Sequence, residues 1–207
     1  MDIQAIAQIL LKLGLAQSEN YLIQNRYYNG WTGSCHVNSV FVFAPYRKIK
    51  MAAINAPGCW HDSTIAEHGV YNRIGEVHKK YGGKIVVNSA FNVKAHSDYL
   101  IRSSQKDPAS AEGLILNRDA TSVQQLSEWG MRQLQGQFPR MKDPLPYEEF
   151  GERRVTINLM VVLYNYQASK VGINQILNSY MSNTDGFFSY HITSDANNVF
   201  GSESTVS

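Results

Sequence analysis

The chain has 207 residues, of which 43% are hydrophobic and 17% are charged, and its formal net charge is +2. This length suits one domain with a substantial core. The apolar content excludes a disordered chain, and no apolar run is long enough to span a bilayer. The small net charge indicates no particular partner, because basic residues gathered on one face would be hidden in the total.

The cysteines and the N-terminus indicate the compartment. Cys35 and Cys59 permit one disulfide and lack the spacing of a zinc knuckle. We expect two buried free thiols in a reducing environment. The apolar run before Lys12 has no small-residue cleavage pattern, so it does not read as a signal peptide. These features together predict an intracellular protein.

The first half of the chain predicts a hairpin followed by a crossover. Residues 3–15 fit a helix or a buried strand, and their spacing does not decide between the two. Asn29-Gly30 between aromatic residues predicts a tight turn. The elements predicted next are two antiparallel strands at 37–44 and 49–54, a helix at 63–81 stopped by Gly82-Gly83, and a strand at 84–88.

The second half of the chain is mostly helical in its patterns. Its predicted elements are a short helix at 94–102, a strand at 114–116, a helix at 121–138, and an almost completely apolar core helix from 147 or 152 to 169, which continues at 173–181. Residues 183–207 are rich in Ser, Asn, Asp and Gly, which predicts a disordered tail. The order predicts one α/β domain over 1–182, a mixed sheet with packed helices.

The triplet His61-Asp62-Ser63 invites a catalytic interpretation. Three consecutive residues at a helix start rarely take the separate orientations that a nucleophilic triad needs. The local chemistry favours a structural role, with Asp62 or Ser63 capping the helix, His61 holding the turn, and Thr64 and Glu67 forming a capping box.

Asn88 and Glu128 are the second pair of candidates. Asn88 ends a short apolar strand, and the carboxyl ends of strands are where open α/β sheets bind ligands. Glu128 lies off the apolar stripe of its predicted helix. Each signal is weak alone, because turns use Asn and surface helices use Glu freely. The order of hairpin, crossover helix, short strand and acid-bearing helix is that of the ribonuclease-H-like fold.

Several phrases in this order resemble one family. They are Tyr28-Asn29-Gly30-Trp31 and the segments at 55–63, 86–91, 148–151 and 159–165. Over roughly Leu13 to Met181 the chain resembles the DDE-superfamily endonucleases related to PIF/Harbinger transposases. The resemblance implies metal-dependent cleavage of DNA phosphodiesters, a nuclear location, and recognition of DNA, which a separate DNA-binding protein can supply.

The resemblance also implies three acids that bind Mg²⁺ or Mn²⁺. Carried across to this chain, they fall on Leu13, Asn88 and Glu128, and only Glu128 is an acid. Two-metal phosphoryl transfer needs negative ligands, and Mg²⁺ relies on carboxylates. We therefore expect weak metal binding, through Glu128 and Asn88, and a catalytically degenerate domain.

Two other functions stay open beside this interpretation. A metal-dependent nuclease would be retained if Glu128 acts as a ligand and Asp62 or another acid substitutes for a missing one. A non-catalytic domain would bind DNA or a protein partner. A decayed copy would have no selected function. The basic residues that favour DNA contact are Lys79, Lys80, Lys84, Lys94, Arg102 and Lys106, although such residues also occur on ordinary solvated surfaces. Of these, Lys84, Lys94 and Arg102 are the candidate DNA contacts.

Overall fold

The computed structural model describes residues 6–44, 48–91, 93–102, 110–146 and 149–170. Its strands form one mixed sheet in the order β4-β3-β1-β5-β6, with the short β2 also paired to β3. The pairs β1–β3 and β3–β4 are antiparallel, whereas β1–β5 and β5–β6 are parallel. The strands are β1 (Ile6–Gly14), β2 (Tyr28–Asn29), β3 (Ser34–Phe43), β4 (Ile49–Pro57), β5 (Ile85–Val87) and β6 (Leu100–Arg102).

Helices cover both faces of this sheet. They are α1 (Tyr21–Tyr27), α2 (Asp62–Gly69), α3 (Tyr71–Tyr81), α4 (Ala111–Gln137) and α5 (Phe150–Lys170), with 3-10 turns at Lys94–His96 and Pro139–Lys142. No helix in the described ranges combines the length and the apolar character that crossing a membrane requires.

Alternation along β3 divides the core into two layers. Phe41 and Phe43 face the first layer, and Val40 and Val42 face the second. The first layer, here called the α4–α5 face, contains Leu11, Leu13, Met131, Leu134, Ile157, Met160 and Tyr164. The second layer, the α2–α3 face, contains Ile65, Ala66, Tyr71, Ile74, Ile85 and Val87. Each layer packs a different pair of helices on the sheet.

Helix α5 is fastened to the edge of β4 at two points. Near its start, the Arg153 Nε donates to Asn55 Oδ1 at 3.2 Å. Near its end, the Asn165 side chain accepts from the Ile49 amide at 2.8 Å and donates to the Ile49 carbonyl at 2.9 Å. Twelve helical residues rise about 18 Å and six strand residues about 20 Å, so the spacings of the two anchor pairs match.

Arg153 is fully buried, at 1% exposure, and joins three segments. Besides Asn55, it donates to the Tyr27 hydroxyl at 3.0 Å and to the Pro146 carbonyl at 2.7 Å. Its guanidinium carbon lies 5.1 Å from the centroid of the Tyr27 ring, within reach of a cation–π interaction. Asn55 itself adopts a left-handed φ of 59° at an irregular position of β4, a conformation that Asn tolerates better than most residues.

The predicted strand pairings and the α/β class are confirmed. Residues 6–14 form a strand, which decides for the strand in the described part of 3–15, and β5 runs parallel to β1 and β4 as the crossover requires. Asn29 builds the predicted turn, because its Oδ1 accepts from the amides of Trp31 and Thr32 at 3.0 and 3.2 Å. Gly82 ends α3 with a left-handed φ of 70°.

Several helix predictions are wrong. The helix expected at 63–81 is broken at Val70 into α2 and α3, and its N-cap is His61, which makes no capping hydrogen bond to a described residue. The predicted caps at Asp62, Ser63 and Thr64 are therefore wrong. Glu67 contacts His96 instead, with 3.0 Å between Oε2 and Nε2.

Two further corrections concern the elements after β5. The segment expected as a helix at 94–102 contains a 3-10 turn and strand β6. The strand expected at 114–116 lies inside α4, which begins at Ala111 rather than at 121. Residues 173–181 and 183–207, like Lys106, lie outside the described part of the chain.

We predict that Arg153→Met lowers the free energy of unfolding by about 3 kcal/mol, because the buried oxygens of Asn55 and Tyr27 would lose their donor. Arg154→Met on the exposed side of the same helix should stay within about 0.5 kcal/mol of the parent chain. Urea unfolding of both variants measures the difference. Equal losses would show that Arg153 does not anchor α5.

Candidate functional site

Asn88 follows β5 directly and its side chain is used in the local turn. Its Oδ1 accepts from the Ala90 amide at 2.9 Å, and its carbonyl accepts from the Phe91 amide at 3.3 Å. Ile85 and Val87 face the α2–α3 layer, so alternation directs position 88 towards the α4–α5 face. The amide is half-buried and its oxygen is already engaged by the backbone.

Glu128 lies on α4, which covers the same face. Val123, Ser127 and Met131 form the buried side of this helix, whereas Glu128 is exposed. Gly130 lies close to the sheet, since a Cβ there would come within 3.0 Å of the Phe43 ring. Helix α4 contacts β1, β5 and β6. Helix α4, which carries Glu128, therefore packs on the face of the sheet towards which alternation directs position 88.

Leu13 does not lie level with Asn88. The parallel register pairs Gln8 with Val87, so the next step along both strands brings Ile9 to the level of Asn88. Leu13 is four residues further along β1, about 13 Å at the usual strand rise. It pairs with Val37 and is 3% exposed within the apolar core.

Asp62 is on the other side of the sheet. It begins α2, whose Ile65 and Ala66 pack on the α2–α3 face. Burial raises the pKa of Asp62, and the positive charge of Lys12 opposes that rise. Because α4 covers the opposite face, the sheet separates Asp62 from Glu128. The structure does not bring these two carboxylates together as a metal pair.

The residues present do not fit the two-metal site that the resemblance implies. Within the described ranges, no group of three or more His, Cys, Asp and Glu side chains is arranged to hold a metal ion. Leu13 offers no ligand atom, Asn88 offers an uncharged oxygen that already accepts a hydrogen bond, and Glu128 contributes one carboxylate.

The turn before α2 is held by asparagines, not by His61. The Gly58 carbonyl accepts from Asn29 Nδ2 at 2.8 Å, and the Trp60 carbonyl accepts from Asn38 Nδ2 at 3.2 Å. His61 is exposed. Cys59 in this turn is also exposed and Cys35 is half-buried, so the expectation of two buried thiols is wrong, although both are free.

A polar cluster that sequence reasoning missed lies beneath this turn. His36 and Asn38 are buried on β3, and neither His36 Nε2 nor Asn38 Oδ1 has a hydrogen-bond partner among the described residues. Lys12 pairs with Asn38 across the strands. Burial lowers the pKa of His36, and the charge of Lys12 lowers it further. A hydrogen bond with the Ser34 backbone acts in the opposite direction and raises this pKa. Two polar residues spaced two apart in an apolar strand were the available signal.

The candidate DNA contacts are divided between the two ends of β5 and β6. Arg102 pairs with Val87, which places it beside the Asn88 end of the sheet. Lys84 precedes β5 at the other end, next to Lys79 and Lys80 at the end of α3. Lys94 is exposed on the 3-10 turn between the two strands. Only some of the basic residues therefore lie near Asn88.

We predict that the free energy of unfolding decreases as the pH is lowered, and that His36 causes part of this decrease. A histidine whose pKa is lower in the folded state binds its proton more readily when unfolded, so stability is lost as pH drops below the unfolded value of about 6.5. His36→Gln should reduce this loss between pH 7.5 and 5, and exposed His68→Gln should leave it unchanged. The urea midpoint measured as a function of pH gives this loss for the parent chain and the two variants. Asp62 is present in all three proteins, so its own contribution to the pH dependence cancels in the comparison. An unchanged slope in His36→Gln would contradict the prediction.

Comparison with known proteins bears on the identity of this fold. Among curated proteins and solved structures, none matches the chain. One protein family does, the one described as DDE superfamily endonuclease, and its match covers residues 11–165. That range includes the last four residues of β1, β2 to β6 in full, α1 to α4, Asn88, Glu128 and both anchors of α5. The chain belongs to the DDE superfamily endonuclease family.

Proposed function

We propose that this chain is a DDE endonuclease domain of ribonuclease-H-like fold, related to the PIF/Harbinger transposases, that has lost metal-dependent DNA cleavage. The element order supports the fold, since a strand hairpin, a crossover, the short strand β5 and the acid-bearing helix α4 follow one another. The family supplies the reaction class, which is cleavage of DNA by an endonuclease.

The observation that carries the loss of cleavage is the state of Asn88. Its oxygen accepts the Ala90 amide at the strand end where the resemblance expects a carboxylate. Holding two divalent cations about 4 Å apart requires negative ligands that offset the charge repulsion. An amide and the single carboxylate of Glu128 supply one negative charge between them, which is too little for that arrangement.

Incubation of the purified full chain with supercoiled plasmid tests the proposal. In Mg²⁺ or Mn²⁺ we expect no more nicking than with the Glu128→Ala variant, because the ligand charge is insufficient. Nicking that requires metal and disappears in Glu128→Ala would overturn the proposal.

Restoring carboxylates tests the placement of the site. By register, Ile9→Asp with Asn88→Asp should increase Mn²⁺ binding in calorimetry more than Leu13→Asp with Asn88→Asp, because Ile9 is level with Asn88. The Leu13 variant also places a charge in the apolar core, which is costly. A larger gain in the Leu13 pair would favour the position that the resemblance indicates.

A second function, DNA binding without cleavage, is supported by Arg102. This exposed residue lies at the strand end that also carries Asn88. Substrate contacts made by basic side chains do not depend on metal ligands, so they can outlast the loss of the acids. A nuclear location and a separate DNA-binding partner belong to the same proposal.

We predict that Arg102→Gln weakens binding to duplex DNA and reduces the slope of log affinity against log salt by about one, as the loss of one phosphate contact would. Lys84→Gln at the opposite end of β5 should leave the slope unchanged. Fluorescence anisotropy at several salt concentrations measures both. Equal effects would point to a diffuse basic surface, and an absence of binding by the parent chain would exclude this second function.

A further inference from the structure

The outward side of α5 is apolar and exposed. Val155, Leu159, Val162 and Tyr166 are 66%, 54%, 61% and 63% exposed, and their spacing of four, three and four residues places them along one stripe. Leu163 beside them is 46% exposed. No charged residue occurs between Val155 and Ser169. This outward stripe differs from the core helix that the sequence predicts.

Rotation of α5 cannot bury this stripe. Its other side holds Ile157, Met160 and Tyr164 in the core, and both ends are fixed to β4 by the hydrogen bonds of Arg153 and Asn165. A continuous stripe of large apolar side chains on a fixed helix marks a contact surface.

The chain itself supplies a segment of matching chemistry directly after α5. Thirty-seven residues follow Lys170, from 171 to 207. Ile173, Ile176, Leu177 and Tyr180 recur at the spacing of one helical face, and no charge occurs from 171 to 184. Polar Asn, Gln and Ser residues fill the positions between them.

Lengths and connection also match. The stripe from 155 to 166 spans about 16 Å, and residues 173–181 in helical form span about 12 Å. Helix α5 runs to Lys170, so two residues, Val171 and Gly172, connect it to the segment that begins at Ile173. Two antiparallel helices need a loop of only about two to five residues. We propose that residues 173–181 fold back and cover the exposed stripe of α5 within the same chain.

Hydrogen exchange on the full chain tests this proposal. We expect the amides of 173–181 to be protected equally at low and high protein concentration, because the contact lies within one chain. Leu159→Asp should accelerate their exchange about tenfold or more by placing a charge in the contact. Asn158→Asp, which adds the same charge at the neighbouring exposed residue, should have little effect.

Faster exchange at Val40 and Phe41 would reveal that Leu159→Asp unfolds the domain. A second pair of variants, within the segment 173–181 itself, therefore tests the same contact. Leu177→Asp should abolish the protection of 173–181, and Asn178→Asp should retain it. Three results would overturn the proposal: no protection, protection that neither Leu159→Asp nor Leu177→Asp reduces, or protection that grows with concentration alongside a dimer in sedimentation. The last result would assign the stripe to a second copy of the chain.

Discussion

The contact between Arg153 and Asn55 fixes how the last helix meets the sheet, and the α4–α5 face depends on it. A buried guanidinium is costly unless its donors are satisfied, and here Asn55, Tyr27 and Pro146 each accept one hydrogen bond. These acceptors belong to segments far apart in sequence. The network can form only when α1, β4 and the approach to α5 are in place together, so it couples local folding to the whole domain.

The sheet also decides which candidate residues can act together. Its two faces separate Asp62 from Glu128, and the parallel register of β1 and β5 separates Leu13 from the level of Asn88. What is left at the end of β5 is an amide engaged in a turn, near a helix that carries one exposed carboxylate. The chain belongs to the DDE superfamily endonuclease family, while its described residues contain no group of three or more His, Cys, Asp or Glu side chains that could hold a metal ion.

The sequence predicts the elements whose signals are local. Short apolar runs mark β3 and β4, and Gly82 marks the end of α3. It does not predict the break at Val70, because the apolar residues of α2 and α3 read as one helix when only their spacing is considered. Strand β6 is missed because three residues carry little periodicity, and it forms by pairing with β5.

The candidate site was predictable to a different degree. Asn88 at a strand end and Glu128 on a helix can be found by pattern and resemblance. Which face of the sheet each of them is directed to can be inferred only from the strand order. The position of Leu13 along β1 relative to Asn88 can be inferred only from the strand register, which no local sequence pattern contains. The buried pair His36 and Asn38 is visible as an alternation in the sequence, but that His36 Nε2 and Asn38 Oδ1 have no hydrogen-bond partner among the described residues is a property of the packed structure.

The amide of Asn165 has a consequence for how this protein behaves at high concentration. Among the described strands β4 pairs only with β3, so its outer edge has no neighbouring described strand, and such an edge is where another extended chain can add. Asn165 occupies both the donor and the acceptor of Ile49, where that edge begins. At this residue a side chain thus stands in for a neighbouring strand and occupies the backbone groups with which another extended chain would begin to pair.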